Sequence, residues 1–398
     1  MNLLTINSFD CSLQAGGGVN RITAILSKAF TELGINCYLG YFEALPEKFT
    51  LAPFADRIHL NKNLDVAVFE QFLLRNQIDI VQVNFLKKEN LPTIRSIYEI
   101  AHRNGVKVIY AFHMCPGFQS VTYGSWLRAL YGWKTGDNAV AETKKWLMTC
   151  TRSLWKPISQ WILRNKYRIP YQYCDKVVLL SSHYRTPYSQ LSGIEASDKF
   201  TAIGNALRFE TYASDADIEA KKKTLLVVAR FDEDTKRLSL VFKTWKQLCL
   251  DPQLSDWKLQ LVGDGRDLPF YKNLIQKWDL PRVEFTGLQN PQEYYRKASL
   301  FLMTSSAEGW PMVINEAAQM GTPTVAMNTF GALQDLVAPG VSGVLVDDED
   351  VAGMALKLRE LMLNNDKRKL MAKAAREQSR LFEPQLIVAK WVQLFNSL

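Results

Sequence analysis

Residues 308–316 read Glu-Gly-Trp-Pro-Met-Val-Ile-Asn-Glu, and they hold the densest usable chemistry in the chain. Two carboxylates, Glu308 and Glu316, flank Pro311, which suits the first position of a helix. Paired carboxylates can take sugar hydroxyls in bidentate hydrogen bonds. A helix starting there offers its first N–H groups, at about Met312 and Val313, to an anion, and Gly309 leaves room beside them. The ordinary reading is a solvated loop glutamate at 308 and a salt-bridged one at 316.

Arg230 closes an apolar run, and Lys236 follows just before a helical stretch. A planar fork donor and a point-charge donor at a strand end suit a diphosphate. The surrounding Arg-Phe-Asp-Glu-Asp-Thr-Lys-Arg is equally the composition of an ordinary charged loop, and Asp232 and Asp234 read as counter-charges for Arg230 and Lys236. Gly16-Gly17-Gly18 and Gly263-Asp264-Gly265 follow apolar runs, where glycine lets backbone N–H groups approach an anion. Tight turns need the same residues. His113 ends another apolar run; imidazole brings proton chemistry, although a lone histidine is often structural. Neither Gly-x-Gly-x-x-Gly nor Gly-Lys-Ser/Thr occurs, so dinucleotide and P-loop fingerprints do not fit.

These residues need strand ends to hold them. Strands are expected at 3–7, 35–42, 78–85, 106–112 and 176–180, with helices at 19–33, 64–76 and 93–103 between them. A second alternating set starts at 224–231 and continues with strands at 257–262, 283–287, 300–304, 324–327 and 343–346. Intervening helices are expected at 238–250, 268–278 and 312–320, and the tail reads as helices 351–363, 367–380 and 384–395. Strands alternating with helices predict βαβ units and parallel sheets. The charged stretch 208–223 reads as a linker. In such α/β sheets ligands bind outside the carboxyl ends of the strands, where the candidate residues fall.

Length and composition agree. The chain has 398 residues, 47% hydrophobic and 22% charged, which fits two globular domains and excludes collagen-like, disordered and disulfide-scaffold classes. Its six cysteines are scattered, without a Cys-x-x-Cys pair, and predict packed thiols in a reducing compartment. No signal-peptide pattern and no run long enough to span a bilayer is visible, which predicts a cytoplasmic protein. A net charge of +8 raises nucleic acid as a partner, but no recognition pattern supports one.

Taken together, Glu308 and Glu316 in their Glu-Gly-Trp-Pro-Met-Val-Ile-Asn-Glu setting, the preceding Arg230 and Lys236, Val-Gly-Asp-Gly at 262–265, Val-Glu-Phe-Thr-Gly at 283–287, Gly-Gly-Gly-Val at the start and Ile-Gly-Asn at 203–205 resemble the retaining glycosyltransferases of family 4. The resemblance implies an α/β GT-B fold with two Rossmann-like domains facing across a cleft. The expected division is an acceptor domain over 1–207, a nucleotide-sugar donor domain over 208–380, and a final helix, 381–398, packing back on the first domain. It implies that Arg230 and Lys236 bind the donor diphosphate, Glu308 the sugar hydroxyls, Glu316 the ribose hydroxyls, and the N–H groups of Met312 and Val313 the distal phosphate. Gly17 and Gly18 would lie against phosphate and acceptor, and His113 near the transferred sugar. Gly263, Gly309 and Asn205 join the expected donor site. Trp310 stands where Phe is usual, and Asn205-Ala206 replaces the frequent Asn-Gly.

The implied function is transfer of a sugar from a UDP- or GDP-sugar donor to a glycan acceptor in bacterial surface polysaccharide synthesis. No cofactor is expected and no metal, since Arg, Lys and a helix end can meet the departing diphosphate. Two other classes stay open: a non-catalytic nucleotide-sugar-binding protein, and an NAD-dependent Rossmann enzyme. Residues 116–170, a helical insertion in the first domain by their tone, carry nine Lys or Arg against two acidic residues, with five of the ten Trp. Basic residues with Trp on amphipathic helices are the pattern of interfacial binding, so an anionic membrane surface and a lipid-linked acceptor are expected partners, with a peripheral location on the cytoplasmic membrane. A helical insertion that packs its Trp inward and solvates its Lys is the ordinary alternative.

Overall fold

Apolar runs separated by amphipathic stretches become two parallel sheets in the computed structural model, which describes residues 1–11, 18–44, 52, 54–61, 63–84, 91–117, 164–165, 167–195 and 197–398. The described residues fall into two units: Met1–Gly117 with the described part of Ile158–Arg208 and Phe382–Leu398, and a second over Phe209–Leu381.

The first unit holds β1 (Asn2–Phe9), β2 (Asn36–Glu43), β3 (Arg57–His59), β4 (Ile80–Asn84), β5 (Lys107–Phe112), β6 (Lys176–Leu179) and β7 (Phe200–Ala202). Their order is β3-β2-β1-β4-β5-β6-β7, every neighbour parallel, with Leu4 opposite both Tyr38 and Val81. β4 is buried throughout, as the interior of a doubly covered sheet requires. Helix Gly18–Glu32 buries Ile22, Leu26 and Phe30, one face at helical spacing, and ends before Gly34, whose φ of 76° only glycine adopts without cost. The last helix, Pro384–Asn396, lies on it: the rings of Phe30 and Phe395 are 5.5 Å apart, and Ile387, Trp391 and Leu394 are buried.

The second unit holds β8 (Lys222–Val228), β9 (Lys258–Val262), β10 (Val283–Phe285), β11 (Ala298–Met303), β12 (Thr324–Met327) and β13 (Gly343–Val346), ordered β10-β9-β8-β11-β12-β13 and all parallel. Its core packs Phe231, Phe242, Trp245, Trp257 and Tyr271 against β8, β9 and β11. Chain order reverses between β8 and β11, so the loops that follow them diverge and leave a crevice at their carboxyl ends.

The expected linker at 208–223 is folded. Ser214 and Asp217 form a capping box that starts helix Asp215–Glu219, Ile218 is buried, and β8 already begins at Lys222. Lys221 points inward, where its ammonium donates to the carbonyls of Tyr295, Arg296, Ala298 and Met320 and to Thr322 Oγ1, at 2.8–3.1 Å. Charge density misled there because these polar groups are satisfied by the protein. β3 is too short for alternation to reveal it. Among the described residues five cysteines are free, and burial pushes the thiols of Cys11 and Cys174 up to about 12. No described helix is long and apolar enough to cross a membrane. The basic, aromatic stretch at 116–170 lies, from 118 to 163, outside the described residues, as does Gly17.

Candidate active site

The loop after β8 runs from Ala229 to Arg237. Asp232 caps the short helix Glu233–Lys236 by accepting from the Asp234 N–H at 3.1 Å, and Arg237 leaves it at φ 50°. That conformation is uncommon for a side-chain-bearing residue. It is held by the Arg237 Nε, which donates to the Thr304 carbonyl at 2.9 Å, and by the guanidinium on Asp348 at 2.6 Å. Thr304, just past β11, returns its hydroxyl to the carbonyl of Lys236 at 2.8 Å. The Ser306 N–H donates to Thr235 at 2.8 Å. The loops after β8 and β11 are therefore stitched together, and the stitching delivers one ion pair: Lys236 Nζ on Glu308 Oε1. Both side chains are below a fifth exposed, 18% and 19%. Lys236, Thr304, Ser305 and Val313 line one small cavity.

Arg230 is different. Its side chain is 70% exposed and touches Asp232 at 3.3 Å. Lys236 does not pair with the expected aspartates: it pairs with Glu308, while Asp232 and Asp234 are both gripped by Arg266. Arg266 was not singled out from the sequence, because its partners lie more than thirty residues away. Beneath them Glu233 is fully buried, accepting from the backbone N–H and hydroxyl of Ser239, and burial pushes its carboxyl up to about 7.

Gly263 has φ 139°, and a Cβ there would stand 1.9 Å from the Ala229 carbonyl oxygen; at Gly265 it would stand 2.4 Å from that of Phe231. These two glycines let the loop after β9 lie directly on the loop that carries Arg230. That is a packing demand, met at the edge of the same crevice.

Pro311 precedes helix Met312–Gln319, and no side chain caps that helix start. Met312 and Val313 are its first two residues, whose N–H groups have no partner within the helix. Gly309 lies in the loop between Glu308 and this helix. One turn further, Glu316 is buried and accepts from the Tyr295 hydroxyl at 3.2 Å. The second unit thus gathers Arg230, Lys236, Gly263, Glu308, Gly309, Met312, Val313 and Glu316 around the carboxyl ends of β8, β9 and β11.

The remaining candidates belong to the first unit. His113 follows β5, and its Nε2 lies 3.2 Å from Asn84 Oδ1 at the end of β4. Burial holds its pKa down to about 4. Gly18 opens the helix after β1, and a Cβ there would meet nothing within 4 Å. Asn205 is buried just beyond β7. Sequence reasoning passed over Asn7, Gln82 and Asn84, although polar side chains near the ends of otherwise apolar strands were a readable signal. Among the described residues no group of three or more His, Cys, Asp or Glu forms a metal cage.

The family described as "Glycosyl transferases group 1" matches residues 209–378, the second unit almost end to end. Among curated proteins, the amylovoran biosynthesis glycosyltransferase AmsD of Erwinia amylovora is 27% identical over 57% of this chain and 63% of its own length. The GalNAc-alpha-(1->4)-GalNAc-alpha-(1->3)-diNAcBac-PP-undecaprenol alpha-1,4-N-acetyl-D-galactosaminyltransferase of Campylobacter jejuni is 24% identical over 57% of this chain and 61% of its own. Each match spans under two thirds of the relative. Among solved structures, HepE of Anabaena in complex with UDP covers the whole of both chains with a TM-score of 0.71 at 18% identity. The fold is shared with it: two parallel α/β sheets in the GT-B architecture.

Proposed function

We propose that this chain, which carries the glycosyl transferases group 1 domain over residues 209–378, is a retaining glycosyltransferase. It moves a sugar from a UDP- or GDP-sugar to a glycan acceptor in bacterial surface polysaccharide synthesis. The observation that carries the reading is the Lys236–Glu308 pair at the point where the sheet's chain order reverses, beside exposed Arg230 and an uncapped helix start. Departure of a nucleoside diphosphate builds negative charge, and Lys236, held by Glu308, meets it together with the exposed Arg230 and a helix N-terminus. Glu308 steadies Lys236 and is read as the contact for a sugar hydroxyl. Glu316, set by Tyr295, takes the ribose hydroxyls. These groups do the work of a divalent ion, so the reaction is read as metal-independent. The relative whose name specifies an undecaprenol-linked substrate, together with the basic, Trp-rich composition of 116–170, supports a lipid-linked acceptor met at an anionic membrane surface.

The deciding experiment is a turnover screen of UDP- and GDP-sugars, alone for hydrolysis and with membrane lipid extract for transfer, followed by anomeric analysis of the product. Consumption of one donor with retained configuration is expected. A folded protein that turns over none of them, and whose melting temperature rises with NAD but not with nucleotide sugars, would overturn the reading.

A further inference from the structure

Thr23 sits on the first helix and donates its only hydroxyl proton to the Val19 carbonyl at 2.9 Å. A carbonyl can only accept, so toward everything else Thr23 Oγ1 is an acceptor. Two amide groups face it, Asn84 Nδ2 at 3.0 Å and Asn7 Nδ2 at 3.2 Å. Asn84 Nδ2 also reaches Asn7 Oδ1 at 2.7 Å. Turning the Asn84 amide over would set its oxygen against two other oxygens with no proton between them, so its orientation follows from the hydrogen-bond network. Asn84 Oδ1 therefore points the other way, where Gln82 Nε2 donates to it at 2.9 Å and His113 Nε2 lies 3.2 Å away.

An amide oxygen cannot donate, so the proton in the last contact sits on the imidazole. We propose that Thr23 and Asn84 are positioning residues that lock His113 as the Nε2–H tautomer, presenting Nδ1 as a hydrogen-bond acceptor for a hydroxyl of the bound sugar. The proposal rests on the transferase reading for the identity of that hydroxyl. Nδ1 is buried and has no hydrogen-bond partner among the described residues. Asn7, Thr23, Gln82 and Asn84 are all buried, so water cannot readily reorganise the relay. Burial also keeps the ring neutral, with its pKa lowered to about 4, and a neutral ring has one free lone pair. The relay ties the helix that begins at Gly18 to a residue that follows β5, two places that nothing in the chain's local pattern connects.

Nitrogen NMR of the full chain with labelled histidine reads the tautomer directly, the His113 signals being assigned by their loss in His113→Gln. The ligand-free wild type should show a protonated Nε2 and an unprotonated Nδ1, and saturating nucleotide sugar with acceptor should shift Nδ1. Thr23→Val removes one of the two acceptors that orient Asn84 and leaves only Asn7 Oδ1; it should mix the tautomers and lower kcat/KM about five- to tenfold, the loss of one hydrogen bond. Affinity for free nucleoside diphosphate should be unchanged, and Thr23→Ser should restore both tautomer and rate. A protonated Nδ1 in the wild type, an unchanged tautomer in Thr23→Val, or an Nδ1 unmoved by substrates, as a water trapped beside it would leave it, overturns the proposal. Absent turnover in the wild type overturns the transferase reading and the sugar hydroxyl with it, a result distinct from a wrong tautomer.

Discussion

The hydroxyl of Tyr295 donates to Glu316 Oε2 at 3.2 Å, inside the second unit and away from solvent. One oxygen of a buried carboxylate is thereby fixed. Ribose hydroxyls belong to the nucleotide, so Glu316→Gln should weaken binding of free nucleoside diphosphate, and Tyr295→Phe should do so by a smaller factor. Calorimetry with UDP and GDP checks both. Unchanged affinity in the two variants would detach this pair from the nucleotide.

Arg230→Ala and Lys236→Ala should each lower kcat by about 10²–10³, the size expected for loss of one preorganised donor. Melting temperature should hardly move for Arg230→Ala, because so exposed a charge adds little to stability. Glu308→Gln should impair transfer more than nucleotide affinity. A folded double mutant with undiminished turnover would remove these residues from the site.

Buried Glu233 gives a pH signature. Its carboxyl is raised to about 7, above the 4.5 of an ordinary glutamate, so the folded chain binds that proton more tightly than the unfolded one. Its stabilising share is full below about pH 4.5 and is lost as pH rises through 7. Glu233→Gln should flatten the melting temperature over that window. Parallel melting curves in wild type and variant would show that the group does not titrate there.

Activity should persist in excess EDTA. Full loss that Mg²⁺ or Mn²⁺ restores would give the charge-stabilising role to an ion.

The chain should sediment with anionic vesicles at low salt and be released at high salt, since each Lys or Arg near such a surface contributes about 1 kcal/mol. Replacing Lys144, Lys145, Arg152 and Lys156 with Gln should weaken the association. Binding that ignores those replacements would place the contact elsewhere.

Where the sequence was legible, local pattern and tertiary role coincided. The alternation of apolar runs with amphipathic helices needs only neighbours in the chain, so five of the seven strands of the first sheet and all six of the second could be read, and with them the strand-end placement of Arg230, Lys236 and Glu308. Arg266, Tyr295 and Thr304 escaped notice because their meaning arises only when a distant loop arrives. The role of Gly263 was ambiguous for the same reason: the Ala229 carbonyl that forbids a side chain there is thirty-four positions away. The 208–223 stretch was misread because composition cannot tell a solvated charge from one, like Lys221, enclosed by backbone carbonyls.

The helix Pro384–Asn396 completes the unit whose first strand is Asn2–Phe9. Synthesis runs in one direction, so the ribosome exposes the earlier sheet while a wall of its core is still untranslated. The described residues of the other unit, Phe209–Leu381, are continuous in sequence and wait for nothing downstream. Its partner, started first, must finish last, with the face of helix Gly18–Glu32 around Phe30 uncovered until Trp391 and Phe395 emerge. Domains usually fold on the ribosome from the N-terminus onward; here the unit that is started first cannot close its core until its last helix has been made.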